Sequence, residues 1–246
     1  KQAIDRQLAM GVVAGLTFVD IDSVSEFRAI EAAQLAKKYG QENGFDLKLA
    51  SQALKGVIAP KESQLLRKAL EMDYLDVIGG LPKVDKEYES AHLDHILFLG
   101  REYNKRVHVH VDQLNNDLEY ETELLAHRTM YWGMEGRVTA VHGISIAAHK
   151  KEYREKVYGL ARDAGLSFIT CPTAWIDSRR TEWETPTHNS ITPVEEMLKH
   201  GLTVAIGSDN IHDVYKPFSD GNMMTELKFL LECLHLYDID ALVDIA

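Results

Sequence analysis

Short runs of β-branched and other apolar residues alternate along this chain with longer amphipathic stretches, always in that order. Such alternation constrains the fold strongly. A strand followed each time by a helix must return parallel to its predecessor, so the pattern specifies β-α units around a parallel sheet. Seven runs read as strands: Leu16 to Asp22, Asp46 to Gln52, Leu75 to Gly79, Arg106 to Asp112, Val138 to Ile144, Ser167 to Pro172 and Thr203 to Ser208. The intervening helical stretches are Ser25 to Tyr39, Lys61 to Met72, His92 to Tyr103, Tyr120 to Gly133, Glu152 to Ala164 and Pro193 to His200. An apolar last helix, Asn222 to Tyr237, follows. Gly165 and Gly201 stand where left-handed helix ends are expected. Thr192, Pro193 and Glu195 read as a capping box opening the helix before His200.

These units, preceded by a helical stretch from Gln2 to Gly15, predict an α/β protein of the TIM-type (β/α)8 barrel class. Its first strand would lie upstream of Lys1, so the chain reads as a barrel trimmed at both ends. Its 246 residues suit one such domain, and no linker rich in Gly, Ser or Pro divides them, so residues 1–246 are expected to form a single domain. A doubly wound open sheet is the alternative, but it needs a Gly-rich phosphate loop after its first strand, and no G-x-G-x-x-G occurs. Gly79-Gly80 reads as a turn.

Composition bears on partners. With 38 acidic against 27 basic residues, the net charge of -11 leaves no basic face for a nucleic acid. No apolar run approaches the ~20 residues of a membrane span, and no signal-peptide pattern opens the chain, so a cytoplasmic protein with a small-molecule partner is expected. Assembly into a homo-oligomer is left open. Cys171 and Cys233 read as buried free thiols without chemistry.

The polar residues cluster where the predicted strands end, which is where a barrel gathers its catalytic groups. Gln52 ends one strand, His108, His110, Asp112 and Gln113 another, His142 a third. Trp175 follows the sixth, and Asp209 and Asn210 follow the seventh. Alternation puts His108, His110 and Asp112 on one face of their strand, opposite Val107, Val109 and Val111. Buried ionisable groups there require a metal, hydrogen bonds or water. His110 with His142 and Asp209 favours a divalent metal of the zinc or iron kind, which makes a water acidic enough to hydrolyse at neutral pH. Trp175, just past a strand end, is a candidate pocket wall, whereas Trp132 on a helix reads as packing. Arg179 and Arg180 read as solvated, and most of His149, His188, His200, His212 and His235 as surface residues.

Four segments carry a resemblance: His110-Val-Asp-Gln113, Val138 to His142, Phe168 to Pro172, and Gly207 to Pro217 running into Gly221-Asn-Met. The chain resembles the cytosine deaminase and N-isopropylammelide amidohydrolase-like branch of the amidohydrolase superfamily. The resemblance implies that His110 is a metal ligand, that Asp209 is both ligand and proton acceptor, and that His142 polarises the hydrolytic water. It places Gln52 at a substrate ring carbonyl, and Asn210 and Tyr215 along the pocket. It also implies a His-x-His ligand pair, which is absent before Leu16 and is expected upstream of Lys1. Gln113 stands where the cytosine enzymes carry a proton-shuttling glutamate; a glutamine can orient a ring but cannot carry a proton.

The implied activity is hydrolysis of a C–N bond in a small nitrogen heterocycle or cyclic amide, with one divalent metal. The alternatives are a metal-poor barrel that binds a heterocycle without turning it over, and a hydrolase that opens a cyclic ureide or lactam.

Overall fold

The computed structural model describes residues 1–174 and 190–246. Helix α1 (Gln2–Ala9) leads into β1 (Ala14–Asp20), and then α2 (Arg28–Glu42), β2 (Asp46–Gln52), α3 (Pro60–Glu71), β3 (Val77–Gly80), α4 (Glu89–Glu102) and β4 (Arg106–Val111) alternate. The pattern continues through α5 (Glu121–Tyr131), β5 (Val138–His142), α6 (Lys151–Asp163), β6 (Ser167–Thr170), α7 (Val194–Lys199) and β7 (Thr203–Ile206), ending in α8 (Met223–Leu234) and α9 (Ile239–Ile245). The strands follow chain order in the sheet, and their recorded pairings are parallel. Sequential parallel strands with intervening helices are the winding of a TIM-type barrel. Each predicted strand is present, to within two residues at either end. The leading helix is shorter than expected, because β1 already begins at Ala14 and pairs there with Asp46. Gly165 and Gly201 take the left-handed φ expected of them, +60° and +74°.

Contacts divide the chain into two compact units, Lys1–Val109 with Arg128–Val138, and His110–His127 with Thr139–Ala246. In the first, β1 and β2 pair from Ala14↔Asp46 to Asp20↔Gln52, and β3 meets β4 through Val77↔Arg106 and Gly79↔His108. Gly79 and Gly80 lie inside β3, not in a turn. A Cβ on Gly79 would stand 1.8 Å from the Ser51 carbonyl oxygen, so only glycine lets β3 come this close to β2. The Gly79 N–H also donates to Ser51 Oγ at 2.8 Å. Just before β3, Asp76 accepts from Lys37 Nζ at 2.6 Å and from the Leu49 amide at 2.8 Å, tying α2 to the middle of β2. Past its end, buried His92 accepts the Leu81 N–H and leans its other ring nitrogen on Asp85 at 2.7 Å, while Asp85 also takes the Val57 amide.

In the second unit β5, β6 and β7 run in register through Thr139↔Ser167 and Ser167↔Thr203. Outside them, Arg154 of α6 grips Glu196 of α7 with two 2.8 Å bonds, and Tyr158 Oη donates to the same carboxylate at 2.7 Å. The capping box expected at Thr192 does not form: no side chain caps α7, and the Thr192 hydroxyl donates elsewhere. Cys171 is buried as expected, but Cys233 is exposed, because α8 buries only Glu226 and Leu230. Among the described residues no helix is long and apolar enough to cross a membrane.

Two consequences follow for stability. Gly79→Ala should cost about 3 kcal/mol or more, since backbone atoms must separate to admit a methyl group; an unchanged denaturant midpoint would contradict this packing. Burial raises the Asp76 carboxyl, but the bonds from Lys37 and Leu49 outweigh it and hold the group below its ordinary value. That stabilisation is present above the unfolded value of about 3.9 and is lost as pH falls through the lower folded value. Asp76→Asn should therefore flatten the acid limb of a stability-against-pH curve, and an unaltered limb would refute the linkage.

Candidate active site

The residues of the second unit that end β4, β5 and β7 share an unusual backbone. Asp112, His142 and Asp209 have φ of +51°, +78° and +60°, a left-handed conformation that non-glycine residues avoid, though Asp, Asn and His tolerate it best. Such strain persists only where the surroundings fix it, and it gathers at functional sites. It aims each side chain away from the course of its strand.

His110 and His142 are both buried, with 6% and 1% exposure, and their rings lie 5.3 Å apart at a 47° tilt. Burial, followed by the charge on His110, lowers the His142 pKa well below its usual value, so this imidazole is neutral near pH 7. The His142 carbonyl accepts the Thr192 hydroxyl at 2.5 Å, and the Gly143 amide donates to Val111 O at 3.1 Å. Thus the strained turn is held from two sides.

Asp112 is engaged by backbone amides. Its two oxygens accept the amides of Glu121 at 2.8 Å and Thr122 at 3.1 Å, capping α5 from the end of β4, and its own amide donates back to Glu121 Oε2 at 2.9 Å. Burial raises its pKa against those bonds. Glu119 completes a cluster in which oxygens of Asp112, Glu119 and Glu121 come within 4.8 Å of one another. Three carboxylates can hold a hard cation. Here, however, each already accepts at least one backbone amide, so the cluster clasps the loop that carries Gln113.

Asp209 is the opposite case. Among the described residues its carboxylate accepts no hydrogen bond, and the residue keeps exposed surface, yet the protein crowded around the carboxyl raises its pKa to about 6. Asp213 adds to the rise and Lys216 opposes it. Asp209 also touches Cys171, whose buried thiol is pushed well up by desolvation and by the charges of Asp209 and Glu226, and so stays protonated. Imidazole and carboxylate are ligand types that suit a divalent cation, but among the described residues the group of three whose ligand atoms lie within 4.8 Å of one another is Asp112, Glu119 and Glu121.

The remaining predicted residues fall as follows. Gln113 is buried beside Asp112. Asn210 donates to Asp213 and its carbonyl accepts Ser219 Oγ, so its side chain organises the loop, while Tyr215 stands 77% exposed. Gln52 belongs to the first unit. It ends β2, and its Oε1 is buried with no hydrogen-bond partner among the described residues. Trp175 lies outside the described residues, as do Arg179, Arg180 and His188. His149, expected at the surface, is buried and donates from Nε2 to Glu119 O at 2.8 Å. Sequence reasoning missed Glu119, Ser145, Thr192 and Glu226. Glu226 accepts Thr173 N and Oγ1 just past β6, and its burial was detectable only as an acid in an apolar helix.

Parallel β/α units carrying imidazole and carboxylate at their strand ends have the arrangement of a (β/α)-barrel hydrolase. The Amidohydrolase family model matches residues 1–246, and the chain belongs to that family. It is 46% identical over 200 residues to an uncharacterized protein of Haemophilus influenzae, covering 80% of this chain and 71% of that one. It is 30% identical over 220 residues to N-isopropylammelide isopropyl amidohydrolase of Pseudomonas sp. (strain ADP), covering 89% of this chain and 51% of the relative. Among solved structures, 5-methylcytosine deaminase from Klebsiella pneumoniae liganded with phosphonocytosine superposes with a TM-score of 0.90 at 26% identity, over 99% of this chain and 60% of that one. The chain therefore spans about half to seven-tenths of the length of these relatives.

Thr192→Val removes the donor to the His142 carbonyl while keeping the side chain's shape. It should cost about 1–3 kcal/mol, the penalty for a buried acceptor left unpaired; a cost below a few tenths in chemical denaturation would show that the bond is dispensable.

Proposed function

We propose that this chain is the catalytic barrel of a metal-dependent amidohydrolase that cleaves a C–N bond of a small nitrogen heterocycle or cyclic amide. The observation that carries the proposal is the buried His110–His142 pair at adjacent strand ends, in a unit that also presents Asp209 without a hydrogen-bond donor. The names of the relatives, an amidohydrolase of N-isopropylammelide and a deaminase of 5-methylcytosine, support the substrate class.

One divalent ion of the zinc or iron kind, held by His110 and Asp209, would supply Lewis acidity that brings the pKa of a water toward about 7. The chain's own residues divide the proton work. His142, neutral, offers a ring nitrogen to the attacking water. Asp209, whose carboxylate accepts no hydrogen bond among the described residues, takes the proton that the water gives up as its oxygen bonds to the ring carbon, and returns it to the nitrogen as the C–N bond breaks. Gln113 has no proton to exchange and orients the ring through its amide.

The test uses the full-length protein loaded with zinc or iron, with N-isopropylammelide and cytosine as probes and amine or ammonia release as the signal. Asp209→Asn should lower turnover by about 10²–10⁴-fold without unfolding the protein, since asparagine also tolerates the +60° φ at this position. Activity retained in that variant refutes the mechanism. Less than about one equivalent of metal, with no activity on adding it, refutes the enzyme. Ring opening without release of amine or ammonia would assign a cyclic ureide or lactam hydrolase instead.

A further inference from the structure

We infer that Glu119 is a positioning residue that sets the turn carrying Gln113 against the turn carrying His142. The inference rests on the proposed function for its catalytic meaning, but its structural content stands on hydrogen bonds alone. Glu119 is buried, and one of its oxygens, Oε2, accepts both the Leu114 amide at 2.6 Å and Ser145 Oγ at 2.9 Å. Leu114 directly follows Gln113, and Ser145 lies three residues after His142. The single Ser145 hydroxyl proton is shared between Glu119 Oε2 and Leu114 O, 2.7 Å away, so serine and glutamate together close the gap between the two turns.

The position of this tie gives it leverage. On the near side of Gln113, the Asp112 carbonyl accepts the Ile144 amide at 2.7 Å and the Ser145 amide at 3.0 Å. On the far side, Glu119 and Ser145 fasten Leu114 across to the His142 turn, and the next residue, Asn115, accepts the Ser190 amide. Gln113 therefore sits between two fasteners, and releasing the far one lets it pivot about Asp112, whose left-handed backbone already bends the chain there. Glu119 is itself braced, because its carbonyl accepts His149 Nε2 and the His149 ring packs edge-on to Tyr120 at 4.8 Å. A charged acceptor shared by two buried donors is stronger than a neutral one, which is the physical reason for an acid in this place. Since Gln113 acts by orientation and not by proton transfer, its placement carries its whole contribution.

The experiment compares Glu119→Ala, Glu119→Gln and Ser145→Ala with wild type in the full-length, metal-loaded protein, after thermal unfolding shows which variants fold. In Glu119→Ala, exchange of the Leu114 amide should rise about tenfold or more, and the ¹⁵N signals of the His142 ring should move. With N-isopropylammelide, kcat should fall about tenfold or more while KM changes by less than about threefold, the pattern of a lost transition-state alignment. Glu119→Gln, which keeps an acceptor oxygen, should recover all three readouts to within about threefold of wild type. If Glu119→Ala does not fold, Ser145→Ala, lacking only the hydroxyl, must shift the same exchange and ring signals or the inference fails. Unchanged Leu114 exchange and His142 signals in a folded Glu119→Ala overturn it, as does full kcat in a protein whose loop has opened. If wild type turns over neither N-isopropylammelide nor cytosine, the proposed function fails separately, and exchange and ring signals alone decide whether Glu119 sets the turns.

Discussion

Burying a strand on both faces makes ionisable side chains costly along it, and that constraint organises this molecule. Val107, Val109 and Val111 are fully buried on one face of β4, and His110 is nearly so on the other. Every residue of β5 is buried. Within such strands each main-chain group is committed to its neighbours, so side chains with chemistry are costly except at the carboxyl ends. There the chain must also turn, and the left-handed residues Asp112, His142 and Asp209 make that turn while carrying the groups themselves. The left-handed backbone therefore falls on residues that also carry ionisable side chains.

Asp112 and Asp209 show how surroundings assign different work to one residue type. Both end a strand and share nearly the same φ. Asp112 receives two backbone amides at the start of α5, and its charge is used up in capping that helix. Asp209 receives none among the described residues, and its carboxyl titrates near 6. The first holds a loop in place; the second is available to a cation or a proton. The distinction comes from which backbone amides lie within reach, and hence from where α5 begins.

The β-α alternation was legible because it is local: burial on both faces demands apolar runs of strand length, and crossovers demand amphipathic helices. The polar strand ends were legible for the same reason, since a histidine or aspartate at the close of an apolar run has nowhere else to be. What sequence could not supply was anything that depends on long-range approach. Gly79 looks like a turn residue until Ser51 is seen 1.8 Å from where its Cβ would be. Thr192 carries every local mark of a helix cap, yet the nearest unsatisfied acceptor is the His142 carbonyl, fifty residues away in sequence. His149 and Glu119 read as ordinary polar residues of loop and helix start, and only the fold joins them. Local pattern identifies elements and their ends; distant pairing decides what each polar group does there.

Gln113 then limits the chemistry that the site supports. Deamination of a heterocycle needs a proton delivered to the leaving nitrogen, and an amide side chain holds none to give. With His142 neutral and deeply buried, and Asp112 bound to backbone amides, Asp209 is the group on the proposed path left to exchange a proton. A single carboxylate that both receives and returns the proton must reach the water and the leaving nitrogen in turn, and it can do so because that nitrogen, in the ring or outside it, is bonded to the carbon the water attacks.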